Sequence, residues 1–167
     1  AIEVGNFDAL YRKGMRMSAQ EVMDIVEETK RLLGEEKTFM CVTVPGQLEI
    51  SEQIELARKL EEAGIDLIQT EGAATVQTQE KGARGLMQTA EVSISNTIEL
   101  TRNVSIPVMT ASGITTTTAP MAFAAGANAI GVGSCVNKLD SEISMIAVSR
   151  SLVEIAERNA QYSVELV

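Results

Sequence analysis

Five short apolar runs alternate with amphipathic segments along the chain, and each run reads as one strand of a β-sheet. The runs occupy residues 1–4, 38–44, 65–70, 108–111 and 129–132. The second run, TFMCVTV, is followed by Pro45-Gly46, which is typical of a strand buried on both faces. Strands that alternate with helices through short connections indicate a parallel sheet covered by helices.

Apolar residues at helical spacing predict a helix after each strand. Ser18 and Glu21 form an S-x-x-E capping box, and the helix that they open ends at Gly34. Ser51 is predicted to cap the second helix, which ends at Gly64. The remaining helices are predicted at residues 86–102, 118–126 and 140–160.

Two segments show no clear periodicity. Residues 7–17 read as a loop or a single ragged turn, and residues 72–85 are rich in small and polar side chains. Loops of about 12 residues or more inside compact domains are often functional. Residues 72–85 are therefore either a lid over a site or a plain mobile connection.

The positions of two small-residue turns favour a closed barrel over an open doubly wound sheet. No G-x-G-x-x-G follows the first strand, whereas Ser112-Gly113 and Gly133-Ser134 follow the last two strands. Phosphate sites of barrels are frequently built from the loops after strands seven and eight. The sequence therefore predicts a parallel (βα)8 TIM barrel, of which residues 1–167 form, as one domain, the C-terminal five strand-helix units.

Five strands cannot close a barrel, so this prediction requires more polypeptide. Residue 1 is Ala rather than Met, and the first strand begins immediately. Restoring the roughly 250 residues typical of the fold takes about three further strand-helix units, which we expect before Ala1. A homo-oligomer, in which a partner copy covers the open edge, is the alternative to a longer natural chain.

Composition excludes two classes of partner. The net charge is −9 and the pI is near 4.6, so the chain has no overall basic character to attract nucleic acid or an anionic membrane surface. No run approaches the ~20 apolar residues of a membrane span. Cys41 and Cys135 have no disulfide or metal-site spacing, and we expect both to be reduced.

Several segments together resemble a known family. They are AIEVGNFDALY, CVTVPG, DLIQTEG, SIPVMTASGITTTTAPMAFAAGA, IGVGSCVNKL and MIAVSRSLVE. This pattern, from Ala1 to about Glu157, is similar to the hypothetical chloroplast reading frame (ycf) family numbered twenty-three, of plastids and cyanobacteria. The resemblance implies an aldolase-type TIM barrel, a longer N-terminus, and a location in the plastid stroma or the cyanobacterial cytoplasm. It implies no established activity.

The two turns are the candidate anion site. Glycines let a phosphate approach the backbone, and N–H groups after each strand can converge on it, with the hydroxyls of Ser112 and Ser134 adding hydrogen bonds. The expected ligand is a phosphorylated small molecule or FMN. The alternative is that Ser112-Gly113 and Gly133-Ser134 are only tight strand-to-helix turns.

Polar side chains at the strand ends are the candidate catalytic groups. Glu3 and Glu71 are predicted as a general acid and base pair, and the other polar residues near strand ends are Asn6, Thr43 and Gln69. Alternatively, Glu3 is a structural carboxylate and Glu71 solvates its loop. The chain has no histidine, which leaves no His-based triad and no His metal ligand, and no metal site is predicted.

Cys135 follows the Gly133-Ser134 turn near a helix start, which would lower its pKa, but a small buried filler is the preferred interpretation.

Two functions remain open. The first is a barrel that binds a phosphorylated ligand in an undefined enzymatic role. The second is a non-catalytic regulatory or assembly protein, which the lack of histidine and of a strand-end lysine favours.

Overall fold

The computed structural model describes residues 1–5, 7–11, 13–72 and 80–164. Its strands are β1 (Ile2–Val4), β2 (Met40–Val44), β3 (Leu67–Thr70), β4 (Val108–Ala111) and β5 (Ala129–Gly131). Its helices are α1 (Asp8–Tyr11), α2 (Ala19–Leu33), α3 (Ile50–Glu62), α4 (Gly82–Thr101), α5 (Ala119–Ala124), α6 (Ser134–Asn137) and α7 (Glu142–Val164).

The strands form one parallel sheet in the order β1-β2-β3-β4-β5, so each βα unit adds the next strand beside the last. This sequential order is that of a (βα) barrel rather than of a doubly wound sheet, whose strand order reverses. The predicted fold class is confirmed as a partial barrel.

Alternation along the strands separates two faces. Val42 and Val44 of β2 and Ile68 of β3 point toward the helices, where they pack in a core with residues of α2 and α3 such as Val22 and Leu56. The intervening side chains point to the inner face of the curved sheet. Because both faces of β2 are covered, all five of its residues are buried, as predicted. The strand begins at Met40 rather than at residue 38, and Phe39 just before it is 51% exposed.

Helix starts were predicted with mixed success. The Ser18–Glu21 capping box is present, and Gly34 ends α2 with φ 61°. Ser51, however, lies inside α3, whose N-cap is Glu49; the Glu52 carboxylate accepts from the Glu49 backbone N–H at 3.2 Å. The prediction for Ser51 was wrong because a glutamate pair three residues apart provides the reciprocal bonds usually made by serine.

Other observed helix boundaries also differ from the predicted ones. Helix α4 begins at Gly82, four residues earlier than predicted, which shortens the 72–85 loop; residues 73–79 of that loop lie outside the described residues. Residues 8–11 form the single turn α1, and the four-residue α6 was not predicted.

Helix α4 packs on the sheet through polar side chains. Ser93, Asn96 and Thr97 are all buried, and the Thr97 and Thr110 hydroxyl oxygens are 2.6 Å apart. Buried polar groups are tolerated when they are hydrogen-bonded. The α4 seam, as we call this contact of Ser93, Asn96 and Thr97, is thus held by directional bonds as well as by apolar packing.

Candidate active site

The turn after β4 has an unusual backbone conformation. Ser112 has φ 75°, and Gly113 follows with φ 78°. Among the described residues, Ser112 is the single non-glycine residue with positive φ. Such a conformation costs on the order of 1 to 3 kcal/mol and is common at functional sites. Gly113 has no room for a side chain, because a Cβ there would lie 2.5 Å from the carbonyl oxygen of Thr89.

Hydrogen bonds fix this turn from both sides. The Ser93 hydroxyl of α4 donates to the Ser112 carbonyl oxygen at 3.0 Å. Further along, the Thr118 hydroxyl accepts from the Thr115 backbone N–H at 3.0 Å, which orders the approach to α5. The strained Ser112 conformation is therefore supported by a hydrogen bond from the buried Ser93 of α4.

The turn after β5 is more open. Gly133 is the N-cap of α6, and its carbonyl oxygen accepts from the backbone N–H groups of Val136 and Asn137 at 3.0 and 2.9 Å. Apart from Gly133 itself and its chain neighbours, no described residue has a heavy atom within 4 Å of the position that a Gly133 Cβ would occupy. Space is therefore available beside the backbone at Gly133 and the following Ser134.

The two turns lie side by side. Ala111 of β4 pairs with Gly131 of β5, so Ser112-Gly113 and Gly133-Ser134 leave the sheet at the same edge from adjacent strands. Adjacent strands are about 4.8 Å apart. The structure thus brings together the four residues that the sequence assigned to an anion, and the assignment itself stays a prediction.

A polar network lies on the inner face. The Gln69 amide nitrogen donates to the Glu3 carboxylate at 3.1 Å and to the Thr43 hydroxyl at 3.0 Å. On its other side, the Gln69 amide oxygen is 3.7 Å from where a Gly131 Cβ would be. Gln69 of β3 is therefore hydrogen-bonded to β1 and β2, and its side chain lies close to Gly131 of β5.

Glu3 also affects a neighbouring thiol. Glu3 pairs with Cys41 across β1 and β2. Burial first, and then the charge of Glu3, raise the pKa of Cys41 to about 11. Cys41 is consequently a neutral thiol at physiological pH, without the thiolate character that a nucleophile needs.

Glu71 occupies a different environment. Its residue is 4% exposed, and the Tyr11 hydroxyl of α1 donates to its carboxyl oxygen Oε2 at 2.6 Å. The Asn96 amide donates to the Glu71 backbone carbonyl oxygen at 3.4 Å. Gly46 packs against that same carbonyl so closely that a Cβ there would lie 1.8 Å from it. Glu71 is thus a buried carboxyl with its own tyrosine partner, not a loop charge in solvent.

Tyr11 was not identified from the sequence. Its segment was interpreted as a loop or a ragged turn, yet Phe7, Leu10 and Tyr11 have the i, i+3, i+4 spacing of one helical turn with an apolar side. Phe7 is buried in the core, which orients α1 toward the sheet. That spacing was the sequence signal from which α1, and with it Tyr11, could have been predicted.

Glu3 and Glu71 lie at different levels of the sheet. Glu3 is level with Cys41, and Cys41 is level with Leu67 of β3. Glu71 is four residues beyond Leu67, which is about 13 Å along the strand direction. The geometry therefore gives each carboxyl a separate hydrogen-bonding partner, and a catalytic role for either stays a prediction. Asn6 lies outside the described residues.

Cys135 is the remaining candidate for a reactive side chain. Burial raises the pKa of Cys135, which agrees with a filler and not with an activated thiol.

Over the ranges that the structure describes, no three His, Cys, Asp or Glu side chains are grouped as metal ligands. No described helix has both the length and the apolar character needed to cross a bilayer.

Comparison with solved structures supports the barrel assignment. The chain superposes on DHODH from Eimeria tenella, solved in complex with ferulenol, with a TM-score of 0.62 and 15% identity, covering 84% of this chain and 46% of that one. It superposes on GGGPS from Thermoplasma volcanium with a TM-score of 0.54 and 18% identity, covering 80% and 54%. At these identities the likeness shows the fold alone.

Sequence relatives include proteins of Pyropia yezoensis and Cyanophora paradoxa. "Uncharacterized protein ycf23" of Pyropia yezoensis is 38% identical over 145 residues, which are 87% of this chain and 52% of that protein. The protein of the same name from Cyanophora paradoxa is 39% identical over 145 residues, covering 87% and 58%. The chain thus spans little more than half the length of these relatives.

A family model gives the broadest match. It covers residues 1–162, which include all five strands and both candidate turns. The resemblance to the ycf family numbered twenty-three is confirmed by the relatives. The chain belongs to the family described as "Protein of unknown function (DUF561)".

Proposed function

We propose that this protein binds a phosphorylated small molecule, FMN being one candidate, at the turns that follow β4 and β5. The observation that carries the proposal is the juxtaposition of Ser112-Gly113 and Gly133-Ser134 on adjacent parallel strands. Barrels frequently bind phosphate at this position, after their last two strands.

Local chemistry supports an anion despite the net charge of −9. Backbone N–H groups provide partial positive charge without basic side chains, and glycine lets them approach the ligand closely. The strain at Ser112 and the open space at Gly133 are consistent with backbone arranged for a ligand. Helix α6, with four residues, contributes little dipole, so the turns themselves would supply most of the binding.

If the ligand is a substrate, Glu71 and Glu3 are the candidate carboxyls for proton transfer. Each would act on a different part of the ligand, because the register separates them along the strands. Tyr11 would share the proton chemistry of Glu71 through its 2.6 Å hydrogen bond. The plastid stroma, or the cytoplasm of a cyanobacterium, is the proposed location, and nucleic acid is not a proposed partner.

A second candidate function is non-catalytic regulation or assembly. It is favoured by the lack of histidine and of a lysine at a strand end, which removes the commonest proton-transfer and Schiff-base groups from this part of the chain. Under this alternative, the protein acts through a protein partner or as a homo-oligomer.

Binding of inorganic phosphate and FMN to Gly133→Asp distinguishes the two functions. An aspartate would fill the open space at Gly133 and place a negative charge where the phosphate binds, so we expect affinity to fall by at least tenfold. Gly133→Ala adds a small neutral group, and Ser95→Asp adds the same charge on the exposed face of α4; both should bind much as wild type does.

Isothermal titration for phosphate and fluorescence quenching for FMN give the affinities, and circular dichroism verifies folding. Equal affinity of folded Gly133→Asp and wild type for both probes would refute the phosphate site. Absence of binding by the wild type would favour the non-catalytic function.

A further inference from the structure

The side-chain amide of Gln69 is oriented by its partners on β1 and β2. Its nitrogen, Nε2, donates to the Glu3 carboxylate at 3.1 Å and to the Thr43 hydroxyl at 3.0 Å. Because a carboxylate accepts hydrogen bonds, this network fixes which end of the amide is the nitrogen. No described residue donates to the other end, the oxygen Oε1. Gln69 is half-buried, so this acceptor is available to a ligand on the concave face.

The amide oxygen of Gln69 lies close to Gly131 of β5. A Cβ at position 131 would be 3.7 Å from Oε1 and 2.8 Å from the Cβ of Ala111. A larger side chain at this position would therefore lie against Oε1, whereas glycine leaves it uncovered. Ala111 is followed directly by Ser112-Gly113, and Gly131 lies two residues before Gly133. Small residues thus form a continuous surface from the Gln69 amide to both turns.

The distance from this amide to the turn after β5 limits the size of a ligand that contacts both. Two residues of chain span at most about 7 Å. Together with the 3.7 Å contact, this places Oε1 within about 12 Å of the Gly133 backbone. A hydrogen bond at each end takes up about 3 Å, which leaves about 6 Å between a phosphate oxygen and a donor that reaches Oε1. That length fits a chain of up to about five carbon atoms.

The charge of this region selects the chemistry of the ligand's far end. The Gln69 oxygen and the Glu3 carboxylate both accept hydrogen bonds, and Glu3 is exposed. A second phosphate or a carboxylate at the far end would be repelled by the charge of Glu3. Hydroxyl groups, in contrast, are neutral and donate to both acceptors. The far end that fits is therefore a chain of hydroxyl groups.

We propose that Gln69 and Glu3 bind the hydroxyl groups of a phosphorylated polyol chain whose phosphate lies at the turns after β4 and β5. We call Gln69 Oε1 and the Glu3 carboxylate the hydroxyl subsite. The subsite depends on the phosphate site proposed above, since the phosphate positions the chain. Two sources share this chemistry: a free polyol or sugar phosphate, and FMN, whose ribityl chain carries hydroxyls next to its phosphate.

Two esters of equal chain length test the hydroxyl subsite in the full-length protein. Ribitol 5-phosphate carries hydroxyls along its chain, and n-pentyl phosphate carries none. Isothermal titration should give at least about fivefold higher affinity for ribitol 5-phosphate, because its hydroxyls gain hydrogen bonds to Oε1 and to Glu3. Inorganic phosphate, titrated alongside, reports on the turns alone.

The substitution Gln69→Met removes the amide and keeps the length of the side chain. It should abolish the preference for ribitol 5-phosphate over n-pentyl phosphate, while inorganic phosphate, which does not reach the subsite, binds as before. Gln20→Met, the same substitution on the exposed surface of α2, should retain the preference. Circular dichroism verifies folding. If Gln69→Met does not fold, Gln69→Asn, which draws the amide back by one methylene group, should show the same loss.

Fluorescence quenching of FMN distinguishes the two sources. FMN binding at least about tenfold tighter than ribitol 5-phosphate would make the flavin the ligand, because its ring then adds contacts. Equal or weaker binding would make the ligand a free polyol phosphate. In both cases Gln69→Met should lower the affinity of the tighter ligand by at least about fivefold.

Two outcomes would overturn the hydroxyl subsite and leave the phosphate site standing. One is equal affinity of the wild type for the two esters, and the other is an undiminished preference in folded Gln69→Met. If the wild type bound neither inorganic phosphate nor either ester, the phosphate site itself would be refuted, and the hydroxyl subsite with it.

Discussion

Replacement of Tyr11 by phenylalanine measures the hydrogen bond that joins α1 to the end of β3. The Tyr11 hydroxyl donates to the Glu71 carboxyl at 2.6 Å, and Glu71 is 4% exposed. Hydrogen bonds to charged groups contribute about 1.5 to 3 kcal/mol, and neutral ones about 0.5 to 1.5 kcal/mol. We therefore expect Tyr11→Phe to lower the free energy of unfolding by about 1 to 3 kcal/mol.

A double-mutant cycle isolates the bond from other contacts of the two residues. Glu71→Met keeps a side chain of similar length without the carboxyl, and the cycle combines it with Tyr11→Phe. The double variant removes both halves of the hydrogen bond, so neither group is left behind without the other. Its loss of unfolding free energy should therefore be smaller than the sum of the losses in the two single variants. We expect a coupling energy of about 1 kcal/mol or more between positions 11 and 71.

Urea denaturation followed by circular dichroism supplies the four unfolding free energies. Gln47→Met is a control, because the Arg16–Gln47 hydrogen bond of 2.9 Å also joins distant segments but is exposed, and its loss should cost less than about 0.5 kcal/mol. A coupling energy below about 0.3 kcal/mol would refute the view that Tyr11 and Glu71 form a stabilising, partly buried pair.

Two other predictions concern the turn after β4 and the inner-face thiol. Gly113→Ala should destabilise the fold by about 2 to 5 kcal/mol in urea denaturation, because it combines positive φ with a clash against the Thr89 carbonyl. Gly14→Ala, with positive φ and open space, should cost only about 1 to 2 kcal/mol, and equal losses would contradict the clash. Cys41 has a pKa of about 11, above the ~8.5 of an unfolded thiol, so the unfolded chain loses its proton first and stability should fall as pH rises between these values. In a Cys135→Ala background, Cys41→Ala should reduce that fall, and an unchanged pH dependence would contradict the raised pKa.

The sheet was predictable because each strand is a short apolar run, and in β2 burial on both faces makes that pattern strongest. Residues 40–44 of the run TFMCVTV form the fully buried β2, although Phe39 of the same run is 51% exposed, and the Ser18–Glu21 box opens α2 as expected. The small-residue turns after β4 and β5 were also located correctly along the chain. In each case the signal is local, since neighbouring residues determine the outcome.

Tertiary contacts explain what the sequence did not reveal. Tyr11 and Glu71 are sixty positions apart, and nothing near either residue indicates that a hydrogen bond joins them. Positive φ at Ser112 depends on α4, whose Ser93 hydroxyl binds its carbonyl, while serine itself usually avoids this conformation. The different levels of Glu3 and Glu71 follow from strand register, which emerges only when β1, β2 and β3 are paired.

Through the α4 seam, one helix is hydrogen-bonded to the backbone after two neighbouring strands, β3 and β4, at the C-terminal edge of the sheet. Asn96 binds the backbone of Glu71, and Ser93, one turn earlier, binds the backbone of Ser112. Movement of α4 along its axis would therefore pull on the buried carboxyl and on the strained turn at the same time. A ligand that reshapes the turn at Ser112 would therefore also act on the backbone of Glu71, through one helical turn of α4.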